Sequence, residues 1–154
     1  MNSRDAKLES LGYPLDKCPK EGALVDALAV AGNILYASGQ VPFDGDTLVS
    51  KGKVPSKVSL EEATRAAALC AANTFRTVRS HLGSLDKIER IVRITGYVNA
   101  DADFTDCHLV INGASQLARD VFGEHGRHAR TALAMTQLPL GASVEVEMIF
   151  QLKS

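Results

Sequence analysis

The sequence predicts an α+β fold: a mixed sheet with two helices packed on one face, in the order βββαβαββ. Three observations predict it. Two long segments, 60–82 and 103–122, repeat apolar residues at helical spacing. Residues 88–98 are rich in β-branched side chains, and 143–152 alternates between apolar and polar. Strands and helices mix without the regular βα alternation of an all-parallel sheet.

In chain order, 3–11 reads as a short helix: Ser3 stands at its cap, Leu8 and Leu11 share a face, and Gly12 follows. Residues 13–22 contain Pro14, Pro19 and Gly22 and read as loop. Residues 23–30 and 34–38 read as two strands of a hairpin about Gly32-Asn33. The stretch 39–46, GQVPFDGD, is rich in turn residues, and 47–54 reads as a third short strand. Ser59 followed by Glu62 is a capping box ahead of the helix 60–82, with Gly83 suited to the left-handed residue past its end. Ala63, Ala67, Ala71, Thr74, Val78 and Leu82 form a mostly small stripe, which lets that helix lie close to a flat partner. Ile88, Ile91, Val92, Ile94 and Val98 mark the next strand. The helix 103–122 carries a break signal at Asn112-Gly113 and ends at Gly123. Strands 128–137 and 143–152 close the chain, joined by Leu138-Pro139-Leu140-Gly141. In the last, Val144, Val146, Met148, Phe150 and Leu152 share one face, Glu145 and Glu147 the other.

The 154 residues fit a single domain, 1–154, with 1–21 as an N-terminal extension and loop. A content of 45% hydrophobic and 23% charged residues excludes a disordered chain. Lys+Arg is 17 against Asp+Glu 18, so the basic stripe of a nucleic-acid binder is missing. No apolar run approaches the roughly 18 residues of a membrane span, and the N-terminal segment has no apolar signal core. Cys18, Cys70 and Cys107 are widely spaced and odd in number, without a CxxC. They read as small core residues of a protein in a reducing, cytoplasmic compartment. Ala129, Ala132, Leu133 and Ala134 make one strand small and apolar, so a second subunit is expected to cover the free face of the sheet.

Arg130 lies inside that strand. One reading makes it solvent-facing or paired with Glu145 on a neighbouring strand. The other makes it a guanidinium fork that holds a carboxylate through two parallel hydrogen bonds, with room left by Ala132 and Ala134. Glu145 is either a wet-face residue or, at a cleft edge, a group that positions water. His125, His128 and the adjacent Cys107-His108 do not make the converging set a metal needs, so no metal is expected. Asn99, Asp101, Asp103 and Asp106 open like a calcium loop, but Phe104 and Val110 stand where Gly and Glu are required. Ser38-Gly39-Gln40 follows a strand and alone signals only a turn. No nucleophile elbow, dinucleotide fingerprint or P-loop occurs.

Taken in order, Gly32-Asn33, Ser38-Gly39-Gln40-Val41-Pro42, Arg130, Leu138-Pro139 and Val144-Glu145-Val146-Glu147 resemble the Rid family, also called YjgF-like or endoribonuclease L-PSP-like. The likeness spans about 22–152. Val110 to Ser115 and Gly126 to Arg130 look like a divergent branch. The resemblance implies a chorismate-mutase-like fold and a homotrimer with its sheets facing inward and three clefts between subunits. It implies a deaminase without cofactor that hydrolyses 2-imino or enamine acids, such as 2-aminoacrylate, to 2-keto acids and ammonia. By matching motif, Arg130 is the expected carboxylate clamp and Glu145 the holder of water. Asn112, Gly39 and Ser38 are expected to line the substrate site. An aromatic common in the family is replaced here by Leu24-Val25, and a frequent Cys two residues after the clamp by Ala132. A non-catalytic binding or regulatory module for small carboxylates is the alternative, and a ribonuclease the third reading. The charge balance speaks against the ribonuclease.

Overall fold

The structure, a computed structural model, describes residues 3–154; Met1 and Asn2 of the expected N-terminal extension lie outside the described residues. Its main sheet has five strands: β1 (Leu28–Ala31), β2 (Ile34–Gln40), β5 (Ile88–Asn99), β6 (Ala129–Met135) and β7 (Val144–Leu152). Their spatial order is β1-β2-β7-β5-β6, with every pairing antiparallel except β5 with β6. A separate ribbon pairs β3 (Phe43–Asp44) with β4 (Thr47–Leu48). The helices are α1 (Arg4–Ser10), α2 (Leu60–Leu82) and α3 (Cys107–Phe122).

The connections explain why one face is covered. The crossover β2-α2-β5 and the crossover β5-α3-β6 both step across the sheet in the same direction. Right-handed crossovers that step the same way put their helices on the same side. Short α1 then packs on α3 and buries Leu8. Phe75 of α2 meets Phe122 of α3 at 5.1 Å and Phe150 of β7 at 6.3 Å between ring centres, at the middle of the core.

The local signals are realised in most places. The Ser3 hydroxyl accepts from the Ala6 amide at 3.1 Å. Both bonds of the capping box form: Glu62 N–H to Ser59 Oγ, 3.1 Å, and Ser59 N–H to Glu62 Oε2, 2.9 Å. Gly83 is left-handed at φ 85°. The hairpin turns at Gly32, whose φ of 62° at the first central position meets the demand of a type II′ turn.

Five expectations are corrected. The first strand runs from 28, not 23: β2 shifts register between Ala37 and Gln40, which ends the ladder opposite residues 23–27. Of the expected strand 47–54 only Thr47–Leu48 pairs, and it pairs outside the main sheet. From there the chain makes single bridges, Lys51 with Ala142 and Val54 with Ala100. The second long helix starts at Cys107 rather than 103 and is unbroken at Asn112-Gly113. Gly113 serves packing: a Cβ there would drive into the main-chain carbonyl of Thr64 on α2. The closing strands β6 and β7 are not neighbours, because β5 lies between them. Finally, Ala132 packs toward the helices, so the free sheet face on β6 is made by Ala129, Thr131, Leu133 and Met135.

That free face also carries Tyr36, Arg93, Thr95, Tyr97, Glu145, Glu147 and Ile149. Tyr36 is 47% and Leu133 45% exposed. Among the described residues no element packs over it, and no helix is long and apolar enough to cross a membrane.

Candidate functional site

Arg130 points from edge strand β6 toward α3. Its Nη1 donates to Asn112 Oδ1 at 2.8 Å and to Ser115 Oγ at 3.2 Å, and its Nη2 to the His108 carbonyl at 3.3 Å. His108, Asn112 and Ser115 sit four and three residues apart, which aligns them on one face of the helix. Behind Ser115 stands His128, with Nε2 2.9 Å from the Ser115 hydroxyl and Nδ1 2.7 Å from the Gly126 carbonyl. Burial holds the His128 pKa below the usual imidazole value, the Gly126 bond opposes this, and the Arg130 charge pushes it further down. A neutral His128 therefore donates through Nδ1 to Gly126, which can only accept, and takes the Ser115 proton at Nε2. Ser115 is left with a lone pair for Arg130. The fork is thus fixed by a chain of bonds running back to the main chain. A guanidinium has five N–H donors. Three are engaged by these partners, and two remain, the number a bidentate carboxylate takes.

Glu145 belongs to a second cluster, on the other face of the sheet. It lies directly opposite Tyr97 of β5 in the register and is half-buried. Burial, then the neighbouring Glu147 charge, raises its pKa above the usual carboxylate range. Gly39 of β2 lies flat against it: a Cβ at 39 would collide with Glu145 Oε1. The Tyr97 hydroxyl donates to Glu147 Oε1 at 2.6 Å, and that bond, then burial, pushes the phenol up to about 12. Beside Gly39 opens a cavity of about 360 Å³, lined among others by Ala27, Ser38, Gln40, Val41 and Phe43. The Ser38 hydroxyl donates to the Asp26 carbonyl at 2.7 Å, so it also ties the preceding loop to β2.

The structure therefore joins Arg130 with Asn112 and Gly39 with Glu145, leaves the Ser38 hydroxyl on the Asp26 carbonyl, and does not bring the two groups together within one chain. Val144, Val146 and Met148 are buried under the helices, so Glu145 faces away from them, whereas Arg130 faces α3. Pairing of Arg130 with Glu145 is excluded by this and by the intervening β5. Sequence reasoning missed Ser115, the supporting role of His128, and Tyr97 with Glu147. Two spacings carried that information: Asn112 and Ser115 share a helix face, and His128 and Arg130 share a strand face.

Among the described residues no three His, Cys, Asp or Glu side chains converge as a metal site. His125 Nδ1 is 3.6 Å from Glu89, Cys107 is buried, and the thiol of buried Cys70 is pushed well up by its burial. Asn99 donates to the Ala142 carbonyl at 3.2 Å, and Asp101 accepts from Ser56 at 2.9 and 3.0 Å, so these two side chains tie loops together.

Comparison with known proteins places this architecture. Residues 7–152 match a family model described as "YjgF/chorismate mutase-like, putative endoribonuclease". Protein TCP17 of Trypanosoma cruzi is 35% identical over 150 residues, covering 97% of this chain and 94% of the relative. The crystal structure of Atu1372 from Agrobacterium tumefaciens, a protein of unknown function, is 40% identical with a TM-score of 0.91, covering 97% of this chain and 92% of that one. A structure from Shewanella oneidensis MR-1, carrying the same endoribonuclease description, is 25% identical with a TM-score of 0.93, covering 98% and 100%. Each spans nearly the whole of both chains. The family match over 7–152, the 35% identity to TCP17 and the crossover topology agree: the chain belongs to the YjgF/Rid family.

Proposed function

We propose that this protein hydrolyses 2-imino acids, and the enamines that tautomerise to them, to 2-keto acids and ammonia without a cofactor, in clefts between the subunits of a homotrimer. The observation that carries the reading is the Arg130 fork, held by Asn112, Ser115 and the His108 carbonyl with two donors to spare. Those donors take the substrate carboxylate in two parallel bonds. Glu145, with Gly39 against it, positions water at the imine carbon. Since the two lie on opposite sheet faces, Arg130 of one subunit serves the Glu145 corner of the next. Orientation makes the attack effectively unimolecular. The uncatalysed reaction is already fast, so lowering the barrier by about 3 kcal/mol, roughly a hundredfold, is enough. Charge weighs against an RNA substrate, with 17 basic and 18 acidic residues.

Ammonia release from freshly generated 2-aminoacrylate tests the activity. Titration of pyruvate or 2-oxobutyrate tests the fork. Arg130→Ala is expected to weaken keto-acid binding by about 2–5 kcal/mol, roughly 30-fold to several thousand-fold, while thermal melting shows the fold intact. Arg130→Lys fails nearly as badly, because a point charge does not reproduce the fork. Glu145→Gln keeps binding and loses rate. Equal keto-acid affinity in wild type and Arg130→Ala removes Arg130 from the site.

A further inference from the structure

We propose that Glu147, held by the Tyr97 hydroxyl, is a positioning residue that disfavours the ionised form of Glu145, so that the Glu145 carboxyl serves as the acid that releases ammonia. The proposal rests on the deaminase reading and adds two residues to it. Its basis is geometric. Glu145 and Glu147 alternate along β7, which puts them on one face about 7 Å apart along the strand. Tyr97 stands directly across from Glu145, and its hydroxyl reaches Glu147 Oε1 at 2.6 Å. That bond fixes the Glu147 carboxylate, as an acceptor, beside Glu145. Gly39 closes the third side and leaves the Glu145 side chain little room to swing away.

Among the described residues of one chain no cation is bonded to Glu145; in the proposed trimer the neighbouring subunit's Arg130 also reaches this corner, with its two free donors taken by the substrate carboxylate. From β5 come Tyr97 and, two rungs further, Arg93, whose guanidinium is bonded to the Thr131 hydroxyl. From β7 comes Glu147, from β2 uncharged Gly39 and Gln40 and, further along the same face beside Glu147, the phenol of Tyr36, and from α2 the buried thiol of Cys70. Half-burial and the Glu147 charge both act against ionisation of Glu145, which agrees with its raised pKa.

A protonated carboxyl has an acceptor oxygen and a donor hydroxyl, and hydrolysis uses both. Water bonds to the imine carbon while the C=N π pair moves to nitrogen. Nitrogen takes the Glu145 hydroxyl proton, and the water gives a proton back to the other Glu145 oxygen. In the second step the amine takes the Glu145 proton and the C–N bond breaks, its electron pair leaving with ammonia. The carbinolamine hydroxyl returns its proton to Glu145 as C=O forms. No oxidant or reductant is needed, and Glu145 ends as it began.

The test is a carboxyl-carbon NMR titration of Glu145 beside the pH profile of ammonia release, in wild type, Glu147→Gln and Tyr97→Phe. In wild type the rate is expected to fall as pH rises, with the same midpoint as the Glu145 signal. Glu147→Gln should move both midpoints to lower pH. Tyr97→Phe, which frees Glu147 to turn toward solvent, should move them the same way but less far. A structural role alone would lower the melting temperature and leave both midpoints in place. An active wild type whose Glu145 midpoint is unmoved by Glu147→Gln overturns the positioning role and leaves the deaminase reading standing. A midpoint raised or unmoved by Tyr97→Phe overturns the part given to Tyr97. If the wild type releases no ammonia, the deaminase reading falls, and the acid role of Glu145 falls with it.

Discussion

At Glu145 a carboxyl sits where burial disfavours its charged form. Its folded-state pKa is raised, so between the usual glutamate value and the raised one the folded protein binds more protons than the unfolded chain. Stability from this site is therefore full at acid pH and declines as pH rises through that window. Glu145→Gln, which cannot ionise, is expected to melt at the same temperature as wild type near about pH 4 and at a higher temperature near about pH 8. Melting curves across that range check it; a lower melting temperature for the variant at alkaline pH would contradict the burial argument. Arg130 and Glu145 were both visible in the sequence as polar residues placed in apolar strands. Their partners were not. The Arg130 bonds span 15 to 22 residues of sequence, and the Tyr97–Glu147 bond spans 50. Periodicity within a segment carries no such long-range information. The Ser38 hydroxyl shows the same limit, since its bond to the Asp26 carbonyl depends on where a loop crosses β2.

Helices were legible because their signals are local. The capping box of Ser59 and Glu62, the stripe on α2 and the glycine at 83 act within a few residues, and all three are realised. Strand limits depend on the neighbour: residues 23–27 have suitable side chains but face a shifted register, and 49–54 cross to single bridges. Gly113 was misread for a related reason. A glycine inside a helix signals weakness when only the helix is considered, but here it allows α2 and α3 to touch at Thr64. Gly113→Ala sets two effects against each other. Alanine gains about 1 kcal/mol of helix propensity over glycine. Its Cβ meets a main-chain carbonyl that has no rotamer to yield, and overpacking of this kind costs about 1–3 kcal/mol. The clash is expected to win, with a net loss of up to about 2 kcal/mol in urea unfolding. A higher urea midpoint would mean that the two helices separate easily.

For the molecule as a whole, the open sheet face and the split between Arg130 and Glu145 point to one arrangement. Tyr36, Leu133 and Met135 lie on that face among charged and hydroxyl groups, with nothing described above them. In the proposed homotrimer a neighbour would cover the face and also supply each Glu145 corner with an arginine, which a single chain cannot do across β5. Sedimentation equilibrium is expected to give three times the chain mass. The stronger test uses two inactive variants, Arg130→Ala and Glu145→Gln, refolded together in equal amounts. If each site draws its arginine from one subunit and its glutamate from the next, random assembly pairs an intact arginine with an intact glutamate at one site in four. Activity should then return to about a quarter of wild type, because each variant supplies the group that the other lacks. Were both groups drawn from the same chain, every site would miss one of them, and the mixture would stay as inactive as its components.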